Sequence, residues 1–289
     1  MSISRREFLK LVGASTILGL GGLSVSTMLK NNLIDASQGL SEPSIMQDPR
    51  ALTAKRWGMV VNMSKFKTEE DYKRCIEACH RIHNVPNIGN TKEEIKWIWK
   101  ETYEHAFPGT EDPFLSPEIK HLPFLVLCNH CNNPPCVRVC PTKATFKRKS
   151  DGIVMMDMHR CIGCRFCMAA CPYGARSFNY RDARPFIKEE ESLPYDSTFV
   201  KGPGSELLIK RGHLTFPTRM KGVVEKCTFC YERLAVGLQP ACVEASQGAL
   251  IFGDLEDPNS EVRKILNERY SFRRKPELGT YPSVYYILG

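Results

Sequence analysis

Thirteen cysteines stand in a chain of 289 residues, and they are grouped. They fall at 75 and 79; at 128, 131, 136 and 140; at 161, 164, 167 and 171; and at 227, 230 and 242. Thiolates are soft ligands for iron, zinc and copper, or partners in disulfides. An odd count excludes complete pairing within one chain. Three or four thiols separated by two-residue gaps also make awkward disulfide geometry. Zinc knuckles use two separated CxxC pairs, which the longer Cys-Pro runs here do not match. A c-type haem needs C-x-x-C-H, and Cys75-Ile-Glu-Ala-Cys79-His80 is one residue too long for it.

The third group reads Cys161-Ile-Gly-Cys164-Arg-Phe-Cys167-Met-Ala-Ala-Cys171-Pro172. This C-x2-C-x2-C-x3-C-P run is the bacterial ferredoxin spacing for 4Fe–4S clusters. Three close thiolates cap one cubane, and the fourth, at Cys-Pro, is carried to the other cluster. The second group, Cys128-x2-Cys131-x4-Cys136-x3-Cys140-Pro141, is the same run with two extra residues. The pairing is therefore crosswise. Cys128, Cys131, Cys136 and Cys171 are expected at cluster A, and Cys140, Cys161, Cys164 and Cys167 at cluster B.

Two further stretches carry a family resemblance. Cys128-Asn-His-Cys131-Asn-Asn-Pro-Pro-Cys136 and Cys227-Thr-Phe-Cys230-Tyr-Glu-Arg-Leu resemble the iron–sulfur electron-transfer subunits of dimethyl sulfoxide, polysulfide and nitrite reductase systems. The resemblance covers roughly residues 55–90 and 122–289. It implies an α+β fold of two ferredoxin-like βαββαβ units, one inserted in the other, and four cysteine groups serving four clusters. This sequence departs from that pattern in the outer half. Group one has only Cys75 and Cys79, with Glu69 and Tyr72 in the preceding slots, and group four ends at Cys242 with Ser246 near its missing cysteine. Carried over crosswise, cluster C keeps a complete set: Cys79, Cys227, Cys230 and Cys242. The fourth cluster would retain Cys75 alone. The expectation is three 4Fe–4S clusters on twelve cysteines, with Cys75 a buried free thiol. The competing arrangement is a degenerate fourth cluster held through oxygen by Glu69, Tyr72 or Ser246.

Secondary structure must deliver these ligands. Gly152-Ile-Val-Met-Met-Asp157 reads as the strand leading into group three, and Trp57-Gly-Met-Val-Val-Asn62 plays that part before group one. Lys92 to His105, with Ile95, Trp97, Ile98 and Trp99, reads as a helix, as does Glu261-Val-Arg-Lys-Ile-Leu-Asn-Glu268. The tail Tyr281-Pro-Ser-Val-Tyr-Tyr-Ile-Leu288 suits either a terminal edge strand or a docking segment. Arg273-Arg274-Lys275 and Lys147-Arg148-Lys149 read as solvated faces. The expected organisation is a signal at 1–30, the first part of the outer half at 31–121 and a complete two-cluster domain at 122–185. A loop or hairpin arm at 186–220, the rest of the outer half at 221–255 and an extension at 256–289 follow.

The N-terminus sets the compartment. Ser4-Arg5-Arg6-Glu7-Phe8-Leu9-Lys10 precedes an uncharged, Gly-diluted run, Leu11 to Leu29, and resembles a twin-arginine export signal. That implies the extracytoplasmic face of a membrane, with the signal either removed or kept as an anchor. No triad, P-loop or dinucleotide motif appears, so the chain reads as an electron-transfer subunit without a catalytic site of its own. The resemblance implies a hetero-oligomeric complex with an integral-membrane quinone-reactive subunit. Export and the lost cluster look most like the iron–sulfur subunit of the Dsr-type complex of sulfur metabolism, which would place a multihaem cytochrome c nearby. The alternatives are the electron-transfer subunit of a molybdopterin, polysulfide or nitrite reductase, or a structural metal-binding module. Nucleic acid is not an expected partner. The formal charge of +8 falls to about +2 once three clusters of formal charge −2 are loaded, and the first thirty residues hold +3 of that.

Overall fold

The computed structural model describes residues 48–109, 114–186 and 219–288. The signal at 1–30 and almost all of the 186–220 arm lie outside them. Strand β1 (Trp57–Asn62) leads into helix α1 (Glu69–Ile82), and β2 (Ile98–Thr102) pairs with β3 (Pro123–Leu127). A helical turn, α2 (Pro135–Arg138), precedes the hairpin of β4 (Thr145–Lys147) and β5 (Val154–Met156). A second turn, α3 (Phe166–Ala169), precedes β6 (Ser177–Phe178), which pairs with β7 (Val224–Glu225). Turns α4 (Tyr231–Leu234) and α5 (Ala241–Ala245), strand β8 (Leu250–Asp254), helix α6 (Glu261–Glu268) and β9 (Val284–Ile287) complete the mixed α/β chain. Among the described residues, no helix is long and apolar enough to cross a membrane.

The largest sheet joins the two ends of this unit. Its order is β8-β1-β9, with β1 antiparallel to β8 and parallel to β9. All six residues of β1 are buried, as a central strand covered on both faces requires. Gly58 is needed there because a Cβ would stand 2.5 Å from the Leu255 side chain. Helix α1 starts where the Asp71 carboxylate accepts the backbone N–H of Thr68 at 2.7 Å and of Lys67 at 2.9 Å. Tyr72, Cys75 and Cys79 follow at helical spacing and form its buried face.

Both expected strands and the 261–268 helix are present. The helix expected over Lys92–His105 is not. That segment holds β2, followed by a single helical turn at Tyr103–Ala106. Aromatic and β-branched residues suit either state, and here β3 supplies a backbone partner from Ile98↔Leu127 to Thr102↔Pro123. The Trp97 indole also donates to Glu225 Oε2 at 2.9 Å, which pins the entry to β2. The tail forms the edge strand β9, with Val284 and Tyr286 fully buried, so it is core and not a free docking segment. The basic triplets are not simply solvated faces either. Arg274 is 3% exposed and donates to Ala106 O at 2.8 Å. Lys275 reaches Pro172 O at 2.6 Å, and Lys147 reaches Asn132 O at 2.9 Å.

Candidate iron–sulfur sites

Cysteines from different groups approach one another in three sets, one of which Cys164 joins by its place in the loop before α3. Cys128, Cys131, Cys136 and Cys171 line one cavity of about 340 Å³, counted with its open mouth. The first three flank and enter α2, and Cys171 arrives from the turn after α3, so residues of two cysteine groups meet at this cavity. Cys140 and Cys161 lie beside Cys167 of α3, whose thiol is pushed up by burial and then by Cys136, Cys161 and Cys140. Cys164, the exposed member of set B, follows Gly163 in the loop before α3. Gly163 has φ +71°, and a Cβ there would lie 2.3 Å from Gly222 O, so only glycine lets the 222 backbone approach this loop.

Set C is the most enclosed. Cys79 comes from the last turns of α1, Cys227 and Cys230 from the loop between β7 and α4, and Cys242 from α5, which packs on α1. All four are at most 7% exposed. Burial raises the Cys79 thiol far above its usual range, and Cys242, Cys230 and Cys227 raise it further. Burial likewise pushes Cys227 up to about 12 and Cys131 up to about 12. Four buried thiols cannot all ionise unaided, whereas iron supplies the positive charge that makes thiolates stable there. All-sulfur sets of four fit iron–sulfur clusters.

The sites stand in sequence. Cys136 of set A acts on Cys167 of set B, and Cys128 of set A acts on Cys227 of set C, so A lies between B and C. Two buried cations occupy the same interior, and among the described residues neither has a carboxylate partner. Arg176 lines cavity A and donates Nη1 to Thr145 Oγ1 at 3.2 Å. Its burial opposes the charge, but Cys136, Cys167 and Cys128 hold the guanidinium above its usual value on balance. Lys226, 1% exposed, donates to Cys227 O at 2.7 Å and to Val154 O. A buried cation without a carboxylate costs several kcal/mol unless another anion balances it. A cluster with four thiolates carries that negative charge. Between loops A and C, His130 stacks on Phe229 with ring centroids 3.7 Å apart. Its Nδ1 accepts the Val154 N–H at 3.1 Å.

The side chains at the slots without cysteine are engaged with other partners. Tyr72, 4% exposed, donates its hydroxyl to Pro123 O at 2.9 Å and packs on Phe66 at 4.8 Å between ring centroids. Glu69 is exposed and pairs with Lys100 at 2.6 Å. Ser246 donates to Val243 O at 2.7 Å and accepts Leu250 N–H at 3.0 Å, closing a local turn. Cys75 is fully buried beside Cys242, and burial pushes its thiol up to about 11.

Around set B exposed apolar side chains are interleaved with exposed cations, among them Arg138, Arg160 and Arg165. Ile162, Phe166, Val139, Tyr180 and Met220 are exposed along with Cys164. Sequence reasoning missed Arg176, Lys226, His83 and His130. Three of these had a local signal: Lys226 precedes Cys227, His130 lies inside a CxxC, and Arg176 closes the Cys-Pro-Tyr-Gly-Ala stretch.

Comparison with known proteins points to iron–sulfur binding. Residues 119–185 match the 4Fe–4S dicluster domain model. The chain is 37% identical, over 98% of its length and 97% of the relative's, to the Hdr-like menaquinol oxidoreductase iron–sulfur subunit 1 of Archaeoglobus fulgidus. It is 34% identical to the menaquinone reductase iron–sulfur cluster-binding subunit of Nitratidesulfovibrio vulgaris, over 80% of this chain and 88% of that one. It is also 34% identical to the NrfC homolog of Haemophilus influenzae, over 86% and 87%.

Proposed function

This chain belongs to the iron–sulfur subunit family of menaquinol oxidoreductase, Nrf and dimethyl sulfoxide-type reductase complexes, and we propose that it carries three 4Fe–4S clusters in the order B–A–C. It is an electron-transfer subunit of an oxidoreductase complex. When bound, the clusters supply one-electron oxidation and reduction. The chain's own residues hold them, bury them and balance their charge. Arg176 and Lys226 do the balancing from inside, and the closed loops around Cys79, Cys227, Cys230 and Cys242 exclude water from site C.

The observation that carries the reading is that Cys128, Cys131, Cys136 and Cys171 line one cavity, Cys79 meets Cys227, Cys230 and Cys242, and Cys167 meets Cys140 and Cys161, while Tyr72, Glu69 and Ser246 are committed elsewhere. Each set draws on more than one cysteine group, as two ferredoxin-like halves with crosswise ligation would require. Iron and acid-labile sulfide on the anaerobically purified chain test it. About twelve of each per chain are expected, and sixteen would overturn the count.

The finer reading concerns partners. The exposed rim around Cys164, where Ile162 and Phe166 stand with Arg165, is the surface where electrons are exchanged with a membrane quinone-reactive subunit. The remaining partner is a multihaem cytochrome c on the extracytoplasmic face, in a sulfur-metabolism complex of the Dsr type. Arg5-Arg6 ahead of an uncharged run supports export. Purification of the membrane complex with haem staining of its subunits tests the partner, and protease protection in spheroplasts tests the face.

A further inference from the structure

His83 follows the last turn of α1 and is 5% exposed, although no cysteine group contains it. Its Nε2 stands 3.2 Å from the Sγ of Cys230, and its Nδ1 stands 3.2 Å from Oε1 of Glu232. The ring lies flat on Trp97, with centroids 4.0 Å apart and planes 25° apart. Trp97 is itself fixed through its indole N–H to Glu225 Oε2. Behind the ring, Arg219 donates Nη2 to His83 O at 2.7 Å and Nη1 to Asn84 O, and its Nε pairs with Glu225 at 2.8 Å. Ring position and backbone are thus both held by buried neighbours, from three separate parts of the chain.

We propose that His83 is a potential-setting residue for site C, donating an Nε2–H hydrogen bond to the Cys230 thiolate. The inference rests on the reading of Cys79, Cys227, Cys230 and Cys242 as a cluster-binding set. A metal-bound thiolate is an acceptor only, so the hydrogen of the 3.2 Å contact belongs to Nε2. Nδ1 then faces Oε1, and one further proton lies between those two atoms. A donor to a cluster sulfur stabilises the reduced state more than the oxidised one, because the reduced state carries one more negative charge. Backbone N–H groups also donate to the sulfurs of this set, Phe229 to Cys227 at 3.5 Å among them, and His83 adds a side-chain donor to Cys230. His83 therefore raises the potential of the most buried cluster, which burial alone would leave hard to reduce. His83 with Cys230 and Glu232 also has the donor types of a mononuclear zinc site, but a thiolate committed to the cluster leaves it only two ligands.

The test uses the full-length, anaerobically purified holoprotein. EPR-monitored redox titration of His83→Phe, which keeps the stack on Trp97, is expected to lower one midpoint and leave the other two in place. A roughly tenfold loss in that reduction equilibrium, about 59 mV, is expected. On the wild type, pulsed EPR with ¹⁵N-histidine is expected to show an imidazole nitrogen coupled to one reduced cluster. That coupling is expected to vanish in His83→Gln. Unchanged midpoints in a fully loaded His83→Phe would overturn the proposal. So would an imidazole coupling that is absent from the wild type or survives in His83→Gln, or one zinc per chain lost on replacing His83. If His83→Phe fails to load, the wild-type and His83→Gln spectra decide. Wild-type iron near eight per chain would instead remove the reading of site C itself, and this inference with it.

Discussion

Replacing Tyr72 by Phe separates a filled site from a degenerate cluster. Only the hydroxyl is removed, and it donates at 2.9 Å to Pro123 O at the start of β3. The ring keeps its packing on Phe66, so no cavity opens. Losing the hydrogen bond to this part-buried carbonyl costs about 0.5–1.5 kcal/mol. For a folded unit of this size that is a drop of roughly 1–6 °C in the thermal midpoint. Bound clusters make unfolding irreversible, so wild type and variant are compared at one scan rate. Iron and sulfide are measured on the same samples and are expected to stay near twelve per chain. A phenolate ligand would behave in the opposite way, with iron near sixteen in the wild type falling by about four in the variant. That result, or an unchanged midpoint, would refute the account of Tyr72 as packing. Phe66→Ala extends the test, since it should cost about 3–5 kcal/mol and no iron.

Gly163→Ala and Gly174→Ala share a positive φ, but only the first drives its Cβ into Gly222 O at 2.3 Å. The first should therefore lose about 1–3 kcal/mol more than the second, read as faster bleaching of cluster absorbance in urea. Equal losses would mean that the close approach does not constrain the loop. Arg176→Met should lower the midpoint potentials of sites A and B and leave site C in place, because the guanidinium lies among Cys136, Cys167 and Cys128; a shift confined to C would contradict this. Cys75→Ala should retain about twelve irons per chain, and loss of four would make Cys75 a ligand. Trp97→Phe keeps an aromatic ring on His83 but removes one donor to the fully buried Glu225, so about 1–3 kcal/mol should be lost in chemical unfolding.

Much of the site was legible because cluster ligation is a local spacing problem. Two-residue gaps and a following proline dictate which thiols share a loop, and Cys128, Cys131, Cys136 and Cys171 line one cavity. Helix α6 and strand β1 were legible for a similar reason, since each pattern matches one period and one burial face. The stretch from Lys92 to His105 was not, because Trp97, Ile98 and Trp99 suit a helix or a strand until β3 provides a partner. Arg274 reads as a surface charge until its guanidinium is seen on Ala106 O, 168 residues away in sequence.

The sequence by itself determined the donor chemistry: thirteen thiols, their local order and spacing, and the positions where a ferredoxin-type run would have one and this chain does not. Tertiary structure alone decided what surrounds them. It placed A between B and C, set Arg176 and Lys226 among the thiols without carboxylates, and brought His83 from the end of α1 to Cys230. The difference is one of range. Ligand spacing is fixed by a few covalent bonds, whereas charge balance and hydrogen bonds to sulfur depend on residues 147 positions apart meeting in a buried, water-poor interior.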